Sequence, residues 1–500
     1  MKRIFLLSVF AGLLMMTYAQ NYKQNLFTGN TDIGSCGIAG SLSYDSENQS
    51  YTIAGSGENI WSGHDQFHFA WKKLSGDFIL QANIRFVGGG SHAHRKIGWM
   101  LRKSLDTTSP LIAATVHGDG LTSLQYRLNV GENLAEIKSG VTSPGIIQLE
   151  RKNGKIYFSV AVPGEPFSTV GLPEDAKFDD NVYAGIFICS HDNKVLEKAV
   201  FYNVRIIKPA PDNFIPYRDY IGSNLEILDL ETGNRRMVMQ SPVSIQAPNW
   251  TPDCKYLIYN SEGSLYRFDI EHQKAEKIYT GYATNNNNDH VLSFDGKSIG
   301  ISHHVESESN NSIVFTVPLK GGNPKRVTPL GPSYLHGWSP DGNDLVYTGS
   351  RKGEFDIYKM SLKTKKEMRL TDAKGLDDGP EYSPDGKYIY FNSVRSGKMK
   401  LWRMYPDGSK QEQVTFDEYN DWFPHISPDG QWIVFLSFGP EIQADDHPFY
   451  KHVYIRMMPA AGGKPGVIAY VYGGQGTINV PSWSPDSKKI AFVSNSDSAH

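Results

Sequence analysis

The sequence predicts an all-β chain: a two-sheet sandwich followed by a six-bladed β-propeller. Three observations predict it. SPDG and its variants recur through the second half, with turn aspartates at Asp253, Asp295, Asp341, Asp385, Asp429 and Asp486. Short β-rich runs separated by Gly, Asn, Asp and Ser turns fill the first half, without a helix-period segment of useful length. The composition, with 12% aromatic residues, 27 Tyr and 48 Gly, suits strands joined by tight turns.

In chain order, residues 1–19 read as a secretory signal peptide, with a basic start, an apolar stretch and a small-residue exit at Ala19. That stretch is shorter than the ~20 residues needed to span a bilayer. No later segment is apolar enough to cross, so a periplasmic or secreted protein is expected. A length of 500 residues exceeds one ordinary core. A net charge of −3 gives no electrostatic footprint for nucleic acid.

Residues 21–207 form the expected sandwich. DFILQANIRFV, SLQYRLNV and KAVFYNVRII are its clear strands, and QLERKNGKIYFSV is a hairpin turning at Asn153-Gly154. Cys36 and Cys189 lie in this half and are candidates for a disulfide, while Cys254 reads as free. The His-x-His of SHAH, with His92 and His94, has metal-ligand spacing. Gly88, Gly89 and Gly90 before it favour a mobile surface loop instead. Residues 208–222 carry Pro209, Pro211 and Pro216 and read as a stiff linker.

Residues 223–500 hold the repeats. The turn aspartates are 42, 46, 44, 44 and 57 residues apart, the period of a propeller blade. In SPDG, Pro presets φ, Asp tolerates turn geometry and Gly accepts positive φ. The sixth copy stops after its second strand, and Asn224–Gln240 supplies two strands without a first pair. The fragments complete each other, so an N-terminal strand segment is expected to close the ring and hide its edges.

Two resemblances follow from these residues. YTIAGSGENIWSGHDQFHFAWKKLSGDFILQANI, KIGWMLRKSL and QYR resemble the concanavalin-like jelly-roll modules of secreted bacterial proteins, which implies a jelly-roll sandwich and glycan binding. GLDDGPEYSPDGKYIYFNS and NDWFPHISPDGQWIVFLS resemble the TolB-like propeller family, whose repeat is WSPDG. That fold hosts scaffolds, peptidase propellers and polysaccharide lyases alike.

Strands a and b of a blade meet at the SPDG turn, so the lead-in to strand a and the loop after strand b share the opposite face. Five residues before the turn aspartate, four blades carry proline, but two carry His290 and His336. The position after it holds Glu381 in blade four and His425 in blade five; a few residues upstream stand Asp377, Asp378, Asp421 and Trp422. Loops after strand b add Arg351, Arg395 and, in an insertion, His447. Seven of the nine histidines after residue 208 fall in these same-face segments.

Imidazoles, carboxylates and arginines converging at a channel mouth suit a divalent metal (Mn, Zn, Ni or Fe) and an anionic or polyhydroxyl ligand. His290, His336, Glu381 and His425 are the candidate metal ligands. Asp377, Asp378, Asp421, Trp422 and His447 are candidate ligand contacts. In an elimination of a uronate, His290 or His336 is the candidate base, with Arg351 or Arg395 pairing the anionic charge. Oligogalacturonate lyases resemble this scheme, but their cluster of one glutamine and two close histidines has no counterpart here. The expected partner is a carbohydrate; the alternative is a non-catalytic scaffold docking an envelope protein. A prolyl peptidase is not expected: the one G-x-S-x-G match, Gly296 to Gly300, spans the turn and second strand of blade two, not a strand-to-helix nucleophile elbow.

Overall fold

The structure, a computed structural model, describes residues 25–497. The signal peptide expected at residues 1–19 lies outside them. None of the described helices is long and apolar enough to cross a membrane. The chain divides into two compact units, Lys23–Pro209 and a second that contains Ala210–His500.

The first unit is built of two seven-stranded sheets. One runs in the order Gly29–Ile33, Phe67–Leu74, Val182–Cys189, Lys96–Arg102, Leu111–His117, Thr122–Arg127, Ala135–Lys138. The other runs Ser168–Gly171, Lys155–Ala161, Ile146–Lys152, Phe78–Phe86, Asp192–Ile207, Ser50–Gly57, Ser41–Asp45. Alternate residues of facing strands make one core: Trp99, Leu101 and Ile112 from the first sheet meet Phe78, Leu80, Phe158 and Phe201 from the second. The Asn153-Gly154 hairpin is present. Both residues have positive φ, as a two-residue turn of this type requires, and Lys152 pairs with Lys155.

Two expectations about this unit change. Cys36 and Cys189 are free thiols: Cys189 lies against the carbonyls of Gly57 and Gln66, and Cys36 against those of Ile33 and Ser56. The glycine-rich loop before SHAH is anchored. Glu197 accepts the Ser91 N–H at 2.9 Å and pairs with Arg95 at 2.6 Å, and Arg95 in turn holds the Gly88 carbonyl.

The second unit is a six-bladed propeller: five four-stranded sheets and one of three strands. In that last sheet Lys489–Asn495 pairs with Ser223–Asp229, which pairs with Arg235–Ser241. Every blade repeats one clamp. The hydroxyl two residues before the turn aspartate donates to its Oδ1, as from Ser383 to Asp385 at 2.6 Å. That Oδ1 also accepts the Lys387 N–H at 3.0 Å, while the Ser383 hydroxyl accepts the Tyr388 N–H at 2.9 Å. In blade one Thr251 does the work of serine. These bonds hold Asp385, and likewise Asp253, Asp341 and Asp486, below the usual carboxylate range, and bring Asp295 down to about 2.

Blades are stitched by side chains of the inner strands. The Trp338 indole donates to the Val291 carbonyl and the Trp483 indole to that of His425, both at 2.9 Å. Asn249 reaches both neighbours, donating to the Pro481 carbonyl and accepting the Leu292 N–H.

A prediction concerns the sandwich. Asp65 is fully buried between Arg102 (2.7 Å) and Arg127 (2.6 Å), both also buried. Burial pushes its carboxyl up in spite of both guanidiniums. Replacing it strands two buried cations, so Asp65→Ala should cost about 3–5 kcal/mol, read from urea unfolding. A loss under 1 kcal/mol would show the pair to be solvated.

Candidate functional site

A cavity of about 1050 Å³ opens in the propeller unit, lined by residues from the lead-ins, the loops after strand b, and Tyr217 and Tyr220. What aims those residues is an irregularity in the inner strands. Pairing with strand b slips between Gln246 and Asn249, Asn286 and His290, Leu335 and Gly337, Asp378 and Glu381, and Trp422 and His425. Ala247, Gly379 and Phe423, each six residues before its turn aspartate, take positive φ inside that slip. A bulge of this kind re-aims the side chain beside it. The residue seven before the turn lines the cavity in four of these blades, as Gln246, Asn288, Tyr334 and Asp378, and Asn479 does so in blade six; in blade five that residue is Trp422, covered by His447. At Gly379 the space is also needed, since a Cβ would come within 2.6 Å of the Asn392 side chain.

The floor is a charged triad. His336 is buried, its Nε2 3.4 Å from Asp378 Oδ1 and 3.9 Å from Asp289 Oδ1, and its Nδ1 3.3 Å from the Asn479 carbonyl. Burial alone would lower its pKa, but Asp289 and Asp378 outweigh it and raise it to about 9. Asp378 is also buried, yet its bond to His336, that cation's charge and the Thr348 hydroxyl at 2.6 Å bring it down to about 2. Asp289 goes the other way: burial raises it to about 6, against the pull of His336. Two carboxylates beside one imidazolium are thereby driven apart.

Around the floor stand amides and rings. Asn260 donates to the carbonyls of Asn286 and Asn287 and fixes the NNNND lead-in, within which Asn287 holds Asp289 at 2.6 Å. Tyr217, Tyr220, Tyr334, Phe355 and Phe449 supply aromatic faces. The inserted loop brings His447 over Trp422 at 4.3 Å between ring centres; burial lowers its pKa, so it is neutral.

Of the residues singled out from sequence, the structure gathers His336, Asp378 and His447 at the cavity. The others are engaged elsewhere. His290 is fully buried against the carbonyls of Asn288 (3.0 Å) and Ile258 (3.4 Å), and burial lowers it to about 4. Glu381 and His425 bind each other at 2.6 Å, and Glu381 also accepts the Ile426 N–H, so both stitch blade four to blade five. Arg351 pairs with Glu367 at 2.8 Å and Arg395 with Asp377 at 2.7 Å. Asp421 is buried against Arg456 at 2.6 Å and Ser437 at 2.8 Å, and Trp422 is sealed beneath His447.

The four candidate metal ligands are therefore not assembled around one point. Among the described residues, the group of three whose ligand atoms all lie within 4.8 Å of one another is His94, His117 and Asp119, in the sandwich. Sequence reading missed Asp289, Asn288, Tyr334 and Asn479. The signal was there in the asparagine run Asn285–Asn288 and in the position seven before the turn.

Residues 336–444 match the family model described as the TolB beta propeller domain. An uncharacterized protein of Agrobacterium fabrum is 46% identical over 272 residues, 54% of this chain and 92% of that relative. The chain belongs to the TolB-like β-propeller family. A solved structure of a candidate TolB from Agrobacterium tumefaciens is 45% identical, covers 55% of this chain and 99% of its own, and superposes with a TM-score of 0.53. TolB from Acinetobacter baumannii is more distant, at 16% identity over 65% of this chain and 79% of its own, with a TM-score of 0.40.

The triad makes a pH prediction for this TolB-like propeller. His336 has a folded pKa of about 9, above its free value, so its stabilisation is complete below ~6.5 and lost as pH rises through 9. Between pH 6.5 and 9.5, unfolding free energy should fall in the native chain. In His336→Asn the slope should be shallower by the equivalent of about one proton. Parallel slopes would show that His336 is not held as a cation.

Proposed function

We propose that the propeller cavity binds a neutral carbohydrate. The observation that carries this reading is the lining: side-chain amides of Asn260, Asn285, Asn287, Asn288, Gln475 and Asn479 interleave with tyrosine and phenylalanine rings around a polar floor. Amides offer both donors and acceptors to hydroxyl groups, and ring faces cover the C–H surfaces of a pyranose. The exported location expected from residues 1–19 agrees with an extracellular glycan.

Electrostatics favour a neutral ligand over a uronate. The floor holds one imidazolium against Asp378 and Asp289, which leaves a negative excess once pH passes about 6. Arg351 and Arg395, the candidate partners of a carboxylate, are neutralised by Glu367 and Asp377 and are absent from the lining. An elimination also needs a base and an electrophile at one place, and His290, Glu381 and His425 are committed to other contacts. Binding, with the sandwich as a second glycan-binding module, is the reading these placements support.

Calorimetry with neutral and uronic oligosaccharides tests it. Neutral glycans should bind, and Asn288→Ala or Tyr334→Ala should each weaken binding about 10-fold, equivalent to ~1.4 kcal/mol. Uronates alone binding would reverse the charge argument. If no sugar binds while a peptide protects the cavity from Tyr334 modification, the site is a protein-docking surface.

A further inference from the structure

Four of the six histidines in the sandwich unit, His92, His94, His117 and His191, collect at one end of its strands. Ring centres of His94 and His117 are 5.7 Å apart and perpendicular, and those of His92 and His191 stack at 4.2 Å. The backbone that carries them is fixed. Strand Lys96–Arg102 pairs with Leu111–His117 so that Lys96 sits opposite His117. Beyond the strand ends, the Gly118 N–H donates to the Arg95 carbonyl and the Asp119 N–H to the Ala93 carbonyl, at 2.9 and 2.8 Å.

We propose that His94, His117 and Asp119 form a site for a divalent transition-metal ion, with zinc as the best match. One ligand atom from each already lies within 4.8 Å of the other two, and His94 Nδ1 is 3.7 Å from Asp119 Oδ2. Tetrahedral zinc with bonds of ~2.0–2.1 Å holds its donors about 3.4 Å apart. The group must therefore close by roughly 1 Å, and His94 and Asp119, 51% and 38% exposed, are free to do so.

An independent observation points the same way. His117 is 5% exposed, and its Nδ1 is buried without a hydrogen-bond partner, while its Nε2 lies 3.2 Å from the Gln125 amide. A buried imidazole nitrogen with nothing to bind is costly unless an outside ligand takes it. Two imidazoles and one carboxylate suit zinc and related borderline ions better than calcium or magnesium, which prefer oxygen donors alone. Three protein donors leave a fourth position open on the exposed side.

The full chain, stripped with a chelator, should take up one zinc ion at this site and show the visible absorption of tetrahedral cobalt when cobalt replaces it. Because His117 is packed into the fold, the informative variants are the exposed ones. His94→Ala and Asp119→Asn should each weaken zinc at least 10-fold, measured by competition with a chromogenic chelator. His272→Ala, at an exposed propeller histidine outside the cavity, should leave that affinity unchanged. Wild-type affinity in both sandwich variants would overturn the proposal, as would stripped protein that binds neither ion. Neither result bears on sugar binding in the propeller.

Discussion

The propeller rests on a short clamp, the hydroxyl–aspartate turn that joins the first two strands of each blade. The aspartate is fixed by a hydroxyl and a backbone N–H, and the same hydroxyl is fixed by the first N–H of the next strand, as Ser427, Asp429, Gln431 and Trp432 show. The clamp holds the two strands in one register at the turn end. With that end locked, the pairing slips farther back, always between four and nine residues before the turn aspartate, in the first five blades. The cavity therefore inherits its geometry from the opposite face of the ring.

That inheritance explains why so many polar side chains are buried around the channel. Inner strands of a propeller converge, so their flanking side chains must satisfy neighbouring blades or face the channel. Asn249, Glu381 and His425 take the first course and bond to backbone groups across a blade boundary. Asp378, Asn288 and Asn479 take the second. The two sets stand three positions apart on the inner strands, and the neighbours they meet complete the choice. His336 and His290, at equivalent positions in adjacent blades, show the part the neighbours play: one is raised to about 9 beside two carboxylates, the other lowered to about 4 by burial against carbonyls.

The sandwich solves burial differently. Its charged residues pair across strands deep in the unit, as with Asp65, Arg102 and Arg127, and the Arg95–Glu197 pair anchors the loop that carries His92 and His94. A run of three glycines marks a loop that needs unusual backbone angles, and Gly88 and Gly90 do take positive φ. Looseness does not follow, because a buried ion pair holds the far end of that loop. The histidine spacing and the glycine run had opposite implications in the sequence; Glu197, about 100 residues downstream, decides between them.

The sequence by itself determined the all-β class, the six blades and the Asn153-Gly154 hairpin. The hairpin and the blade turns depend on contacts between residues close in the chain, so their chemistry is written in contiguous letters and their period counts the blades. It also located the face where polar residues gather. Which of those residues reach the cavity was decided by the tertiary structure. Glu381 and Asp378 stand three positions apart on one strand, yet one bonds to the next blade and the other to His336. The partners that separate them come from other blades. No local pattern encodes a bulge together with the neighbour it faces.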